Sequence, residues 1–178
     1  PALPPPTIEQ LFGLPNVRQP RLSPDGRKIA FLFPHEKKLA LGVFARATNS
    51  SQMILRGEDE SLFSFFWKGN DRLVFLADVS GNESFFIGAT DLSGKKTLRL
   101  AESQRVDDTL VGTVANIVDE LPADPTRIVV AAFFADKADT TVFIGGTAVV
   151  ARLNVQNRAR SPILEFKASA RPVRLLTD

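Results

Sequence analysis

Short β-rich runs recur along this chain with a period of about 45 residues. Arg27-Lys28-Ile29-Ala30-Phe31 lines up with Asp71-Arg72-Leu73-Val74-Phe75, and Gln52-Met53-Ile54-Leu55 with Thr97-Leu98-Arg99-Leu100. A third unit opens at Thr126-Arg127-Ile128-Val129-Val130, and its residues Arg152–Arg158 line up with Ala89–Lys95. That unit is longer by about eight residues, around Asp136–Gly146, between its second and third runs. The runs are Lys28–Phe33, Leu39–Ala45, Gln52–Leu55, Leu62–Trp67, Arg72–Ala77, Ser84–Thr90, Thr97–Leu100, Ala115–Val118, Arg127–Phe134, Thr147–Val155 and Ile163–Phe166. Pro24-Asp25-Gly26, Gly69-Asn70-Asp71, Ser80-Gly81-Asn82, Ser93-Gly94-Lys95 and Asp124-Pro125-Thr126 lie between them. These residues pre-set turn dihedrals or supply positive φ. Strands at such spacing make a sandwich, a barrel or a propeller.

Two runs narrow that choice. Ile29–Phe33 and Ile128–Phe134 are apolar at consecutive positions, whereas a sheet with one wet face alternates. Such strands are covered on both sides. Stacked propeller blades meet that demand, and four strands in about 45 residues make one blade. The sequence therefore predicts an all-β chain of about three four-stranded antiparallel blades of an incomplete β-propeller. Residues 1–15 form an extended Pro-rich lead-in and a short N-terminal helix, with Thr7 as its cap and Gln10 closing a capping box. The units run about 16–57, 58–103 and 104–167, and 168–178 is a tail with a further strand at Val173–Leu176.

Arg21-Leu22-Ser23-Pro24-Asp25-Gly26-Arg27-Lys28-Ile29-Ala30-Phe31 resembles the Ser-Pro-Asp-Gly hairpin of propeller repeats in TolB and in prolyl-oligopeptidase-like serine peptidases. Phe66–Phe75 and Ile117–Pro125 extend the likeness, in order and spacing, to the first blades of acylaminoacyl-peptidase and dipeptidyl-peptidase-like members. The resemblance covers about residues 7–166. It implies a non-catalytic propeller that limits the access of peptides to a C-terminal α/β-hydrolase domain carrying the Ser-Asp-His triad. It also implies partners: the peptide substrate, and the hydrolase domain or the remaining blades. The competing reading is a TolB- or WD40-like interaction scaffold without peptidase activity, with a polysaccharide- or lyase-type propeller as a third.

The residues themselves offer little chemistry. The chain has no Cys and one His, His35, so thiolate nucleophiles, disulfides and His-pair metal sites are excluded. No Gly-x-Ser-x-Gly elbow occurs, and His35 reads as part of a solvated hairpin tip. No catalytic residue, cofactor or metal is expected. Net charge is +2 with the basic residues scattered, which argues against nucleic acid. No apolar run reaches the ~18 residues of a spanning helix, so no membrane partner is expected. The Pro-Ala-Leu-Pro-Pro-Pro opening without an initiator Met is what a removed signal peptide or a chosen chain boundary leaves; either is compatible with export, and a periplasmic or secreted location is slightly favoured over a cytoplasmic one. Glu58-Asp59-Glu60, Asp107-Asp108 and Asp119-Glu120 are acidic clusters that read as solvated loops. The polar insertion ranks first for peptide or partner contact, through Asp136, Lys137 and Asp139, because recognition concentrates on loops held by a rigid scaffold. Trp67 is expected in the core and Lys68 in the turn that follows it. Open blade faces add an expectation of self-association.

Overall fold

Segments rich in Val, Ile, Leu and Phe extend, and their backbone groups then require partners on neighbouring strands. In the computed structural model, which describes residues 16–57, 60–79, 85–102, 116–135 and 145–169, they find them in three four-stranded antiparallel sheets. Sheet 1 is β1 (Arg18–Leu22), β2 (Lys28–His35), β3 (Lys38–Ala45) and β4 (Ser50–Leu55). Sheet 2 is β5 (Glu60–Lys68), β6 (Arg72–Val79), β7 (Phe85–Asp91) and β8 (Leu98–Glu102). Sheet 3 is β9 (Asn116–Asp119), β10 (Arg127–Ala135), β11 (Gly145–Asn154) and β12 (Arg160–Ser169). Each is a meander whose strands pair in chain order. No helix occurs among the described residues. This is a stretch of β-propeller.

Sheet 2 shows why the apolar runs do not alternate with polar residues. On β6, Leu73, Phe75 and Ala77 pack toward sheet 1 with Ala30, Leu32, Leu41, Val43 and Ile54. Val74, between them, packs the other way, toward Ile128, Val130, Leu153 and Val155 of sheet 3. Phe65 and Phe66 on β5 divide likewise, as do Phe86 and Ile87 on β7. Each pleat thus sends neighbouring side chains into two different cores. The middle blade is buried on both faces.

Within the blades, glycines make room for cross-strand rings. Gly88 lies opposite Phe75 in the β6–β7 ladder, and a Cβ there would stand 2.3 Å from the ring's Cζ. Gly42 lies opposite Phe31 at the matching place in sheet 1. An aromatic ring laid over a cross-strand glycine is therefore a repeated device of the blades.

Several expectations need correction. Arg18–Leu22 forms a strand that the sequence does not announce: it carries Pro20 and is mostly exposed, as an edge strand tolerates. Trp67 is half-buried at the edge of the first core, because its Nε1 donates to the Arg21 carbonyl at 2.9 Å. An indole with a polar handle to satisfy sits at a seam. Lys68 is the last residue of β5 and is buried, at 2% exposure. His35 ends β2, paired with Lys38, and its ring meets Phe33 edge-on at 6.3 Å. The N-terminal helix and the strand expected at Val173–Leu176 lie outside the described residues.

Candidate functional site

In a meander the first and third turns leave one end of the sheet and the second turn leaves the other. The β1–β2, β5–β6 and β9–β10 hairpins therefore share one rim, and there they are bonded to one another. In the first, the Ser23 hydroxyl donates to Asp25 Oδ1 at 2.7 Å, the Arg27 amide donates to the same oxygen, and Gly26 takes φ 69°. Asn70 of the second hairpin accepts the Asp25 amide on its side chain at 3.0 Å and the Lys28 ammonium on its carbonyl at 3.1 Å. In the third, Asp124 accepts from the amide and hydroxyl of Thr126 at 2.8 Å and from Arg127 Nε at 2.8 Å.

The buried ammonium of Lys68 joins the second hairpin to the third. It donates to the carbonyls of Glu120 at 2.7 Å and Leu121 at 3.0 Å. Leu121 adopts φ 47°, an unusual conformation for a branched residue. Burial pushes the Lys68 ammonium below the usual lysine range, against the opposing pull of Asp124, Glu120 and Asp119. The carboxylates move down as well. Hydrogen bonds from the Thr126 amide and hydroxyl hold Asp124 at about 2. The Ser23 hydroxyl and the Arg27 amide lower Asp25. At Asp91 burial opposes, and hydrogen bonds from Ser93 and the Lys96 amide prevail. The rim is a set of satisfied turns, and its charges are spent on its own backbone.

The sequence-derived candidates separate accordingly. Asp136, Lys137 and Asp139 lie outside the described residues, as do Asp107, Asp108, Glu58 and Asp59. What the structure supplies is the stem of that insertion: β10 and β11 pair along their full length to Ala135 opposite Gly146. Glu60 is engaged by Arg99. Asp119 accepts the Leu121 amide at 2.7 Å, closing a turn. His35 sits at the β2–β3 hairpin tip with its side chain 30% exposed, but its Nε2 is sealed from solvent without a hydrogen-bond partner, and the Glu36 carboxylate stands 3.8 Å away. The described residues include no group of His, Cys, Asp and Glu able to hold a metal. Lys68 escaped sequence reasoning because a lysine before Gly-Asn-Asp looks like a turn residue.

No protein-family model matches the chain, and no curated protein does. Solved structures do, and they include the propellers of prolyl-oligopeptidase-like and acylaminoacyl peptidases. The propeller domain of the trilobed protease from Pyrococcus furiosus, described as an open velcro topology, superposes with TM-score 0.55 at 18% identity, covering 84% of this chain and 43% of that one. A prolyl endopeptidase gives 0.60 at 10%, covering 84% and 22%. An oligogalacturonate lyase from Vibrio parahaemolyticus gives 0.51 at 14%, covering 81% and 38%. The chain thus spans less than half the length of each of these three. Two chemistries share the architecture, so the likeness defines a fold: three blades of a β-propeller similar to those of prolyl-oligopeptidase-like peptidases.

Proposed function

We propose that this chain is the non-catalytic propeller portion of a prolyl-oligopeptidase-like serine peptidase, where it limits the access of peptides to a hydrolase domain. One observation carries this reading. The three segments that resemble peptidase propellers, Arg21–Phe31, Phe66–Phe75 and Ile117–Pro125, fall on the first hairpin of each successive blade, β1–β2, β5–β6 and β9–β10. A chance likeness would not keep that phase. Satisfied turns on one rim, and the stem of a long insertion on the other, support a scaffold that selects rather than reacts. The insertion at Asp136, Lys137 and Asp139 is the place for peptide contact, and the hydrolase domain or further blades are the partners.

The coding sequence beyond Asp178 tests this reading. A Gly-x-Ser-x-Gly elbow followed by Asp and His is expected there. Further repeats without an elbow would replace it by the interaction scaffold. In the longer enzyme, removal of residues 136–144 is expected to change the length of peptide cleaved. Unchanged selection would remove the insertion from the reading.

A further inference from the structure

The rim opposite the bonded hairpins carries one feature that blade packing does not use. Phe63 and Phe85 are large apolar side chains left 41% and 44% exposed. Their rings meet edge-to-face, centroids 6.1 Å apart at 73°. Phe63 is the extra residue of a β-bulge, since the β5–β6 register slips between Leu62 and Ser64. Gln19 of β1 fixes that bulge by donating from Nε2 to the Phe63 carbonyl at 2.9 Å. Asp78 stands directly opposite Phe85 in the β6–β7 ladder, so both side chains project from one face of the sheet. That face is the one turned toward sheet 3, because Val74 of β6 and Ile87 of β7 point there. Asp78 Oδ1 is sealed from solvent and accepts no hydrogen bond.

A carboxylate oxygen without a donor is an unmet demand for a cationic or N–H group, and no described residue donates to it. Arg99 is engaged by Glu60 and by the Phe86 ring, 4.3 Å from its centroid, and Phe86 packs toward sheet 1, on the other face. Phenyl faces beside a carboxylate attract an alkylammonium twice: the ring quadrupole draws the charge and the ring surface covers the methylene stem. We propose that Asp78, Phe63 and Phe85 form a subsite for an organic ammonium group carried on a peptide. The ammonium donates to the Asp78 carboxylate and its aliphatic stem lies against the two rings. This inference rests on the peptide-handling reading above for its ligand, while the subsite itself rests on the three side chains.

Isothermal titration of the 178-residue chain tests it. The probes are an end-blocked pentapeptide with one central lysine, its norleucine analogue, the norleucine peptide with a free amino terminus, and cadaverine. The lysine peptide is expected to bind, with affinity lowered at least tenfold by Asp78→Asn and severalfold by Phe85→Leu. The end-blocked norleucine peptide is expected not to bind. Binding of the free-terminus norleucine peptide, lost in Asp78→Asn, assigns the ammonium to the peptide terminus in place of a side chain. Cadaverine binding that depends on Asp78, without binding of any peptide, keeps the subsite and overturns the peptide reading. Equal binding of the lysine and end-blocked norleucine peptides, or affinity unchanged in both Asp78→Asn and Phe85→Leu, overturns the subsite. Far-UV circular dichroism of each variant separates lost binding from lost folding.

Discussion

A lysine sealed in the seam between two blades makes stability depend on pH. Burial lowers the Lys68 ammonium in the folded state, while in the unfolded chain it titrates near 10.5. Between those two points the unfolded chain binds more protons, so stability rises with pH. Below the lowered value the desolvation cost is present in full. The urea midpoint is therefore expected to rise as pH climbs through the lowered value toward 10.5, and Lys68→Met is expected to flatten that rise. An equal slope in the variant would show that the seam is wetter than the structure has it. The same residue marks a limit of sequence reading. Lys68 and Trp67 adjoin a clear turn signal, and only the partner carbonyls, more than 40 positions away for both, show that one is buried and the other half-buried.

At the scale of the element, the ring-over-glycine pairs give an ordered comparison. At Gly88 an added methyl would press on Phe75, a ring buried in the first core. At Gly42 it would stand 3.0–3.1 Å from Phe31 and Phe33, rings only half-buried on an open face. Gly88→Ala is expected to cost about 1–3 kcal/mol as overpacking and Gly42→Ala less, because its neighbours can move outward. Paired denaturation curves check the order, and a larger loss at Gly42 would contradict it. The turns make a second expectation. Asp124 is held at about 2 and Asp25 and Asp91 are lowered, so their turn bonds contribute fully above about pH 4. They are lost as pH falls through the lowered values. Asp124→Asn is expected to shrink the loss of stability between pH 4 and 2. An unchanged acid limb would place the sensitivity elsewhere.

These elements also show what was legible. Among the described residues, the runs with Val, Ile, Leu or Phe on both faces are strands where the sequence expects them, because burial and turn chemistry agree there. Strand β1 was not legible: Arg-Gln-Pro-Arg-Leu has neither alternation nor branching, and it is a strand because β2 offers an edge. The Asp78, Phe63 and Phe85 group was hidden too. A bulge and a ladder register bring those residues together, and neither leaves a mark in the sequence.

At the scale of the molecule, the outer face of sheet 1 repeats the face by which sheet 2 is buried. Register places Leu22, Ile29 and Phe44 in one row and Phe31, Gly42 and Met53 in the next, with Phe33 beyond. Leu22 is 57% and Met53 42% exposed. Ile29, Phe31, Phe33 and Phe44 are half-buried, whereas Leu73, Phe75 and Ala77, at the corresponding places of sheet 2, are closed off by sheet 1. A face built to be covered by a blade exceeds the few hundred Å² that a soluble monomer leaves open. The 178-residue chain is therefore expected to self-associate through that face when no further blade covers it. Sedimentation at micromolar concentration is expected to show a species above 19.5 kDa, and Met53→Lys combined with Phe33→Lys to shift it toward monomer while far-UV dichroism holds. A stable monomer of the unaltered chain would mean that the outer face of sheet 1 is covered from within the chain itself.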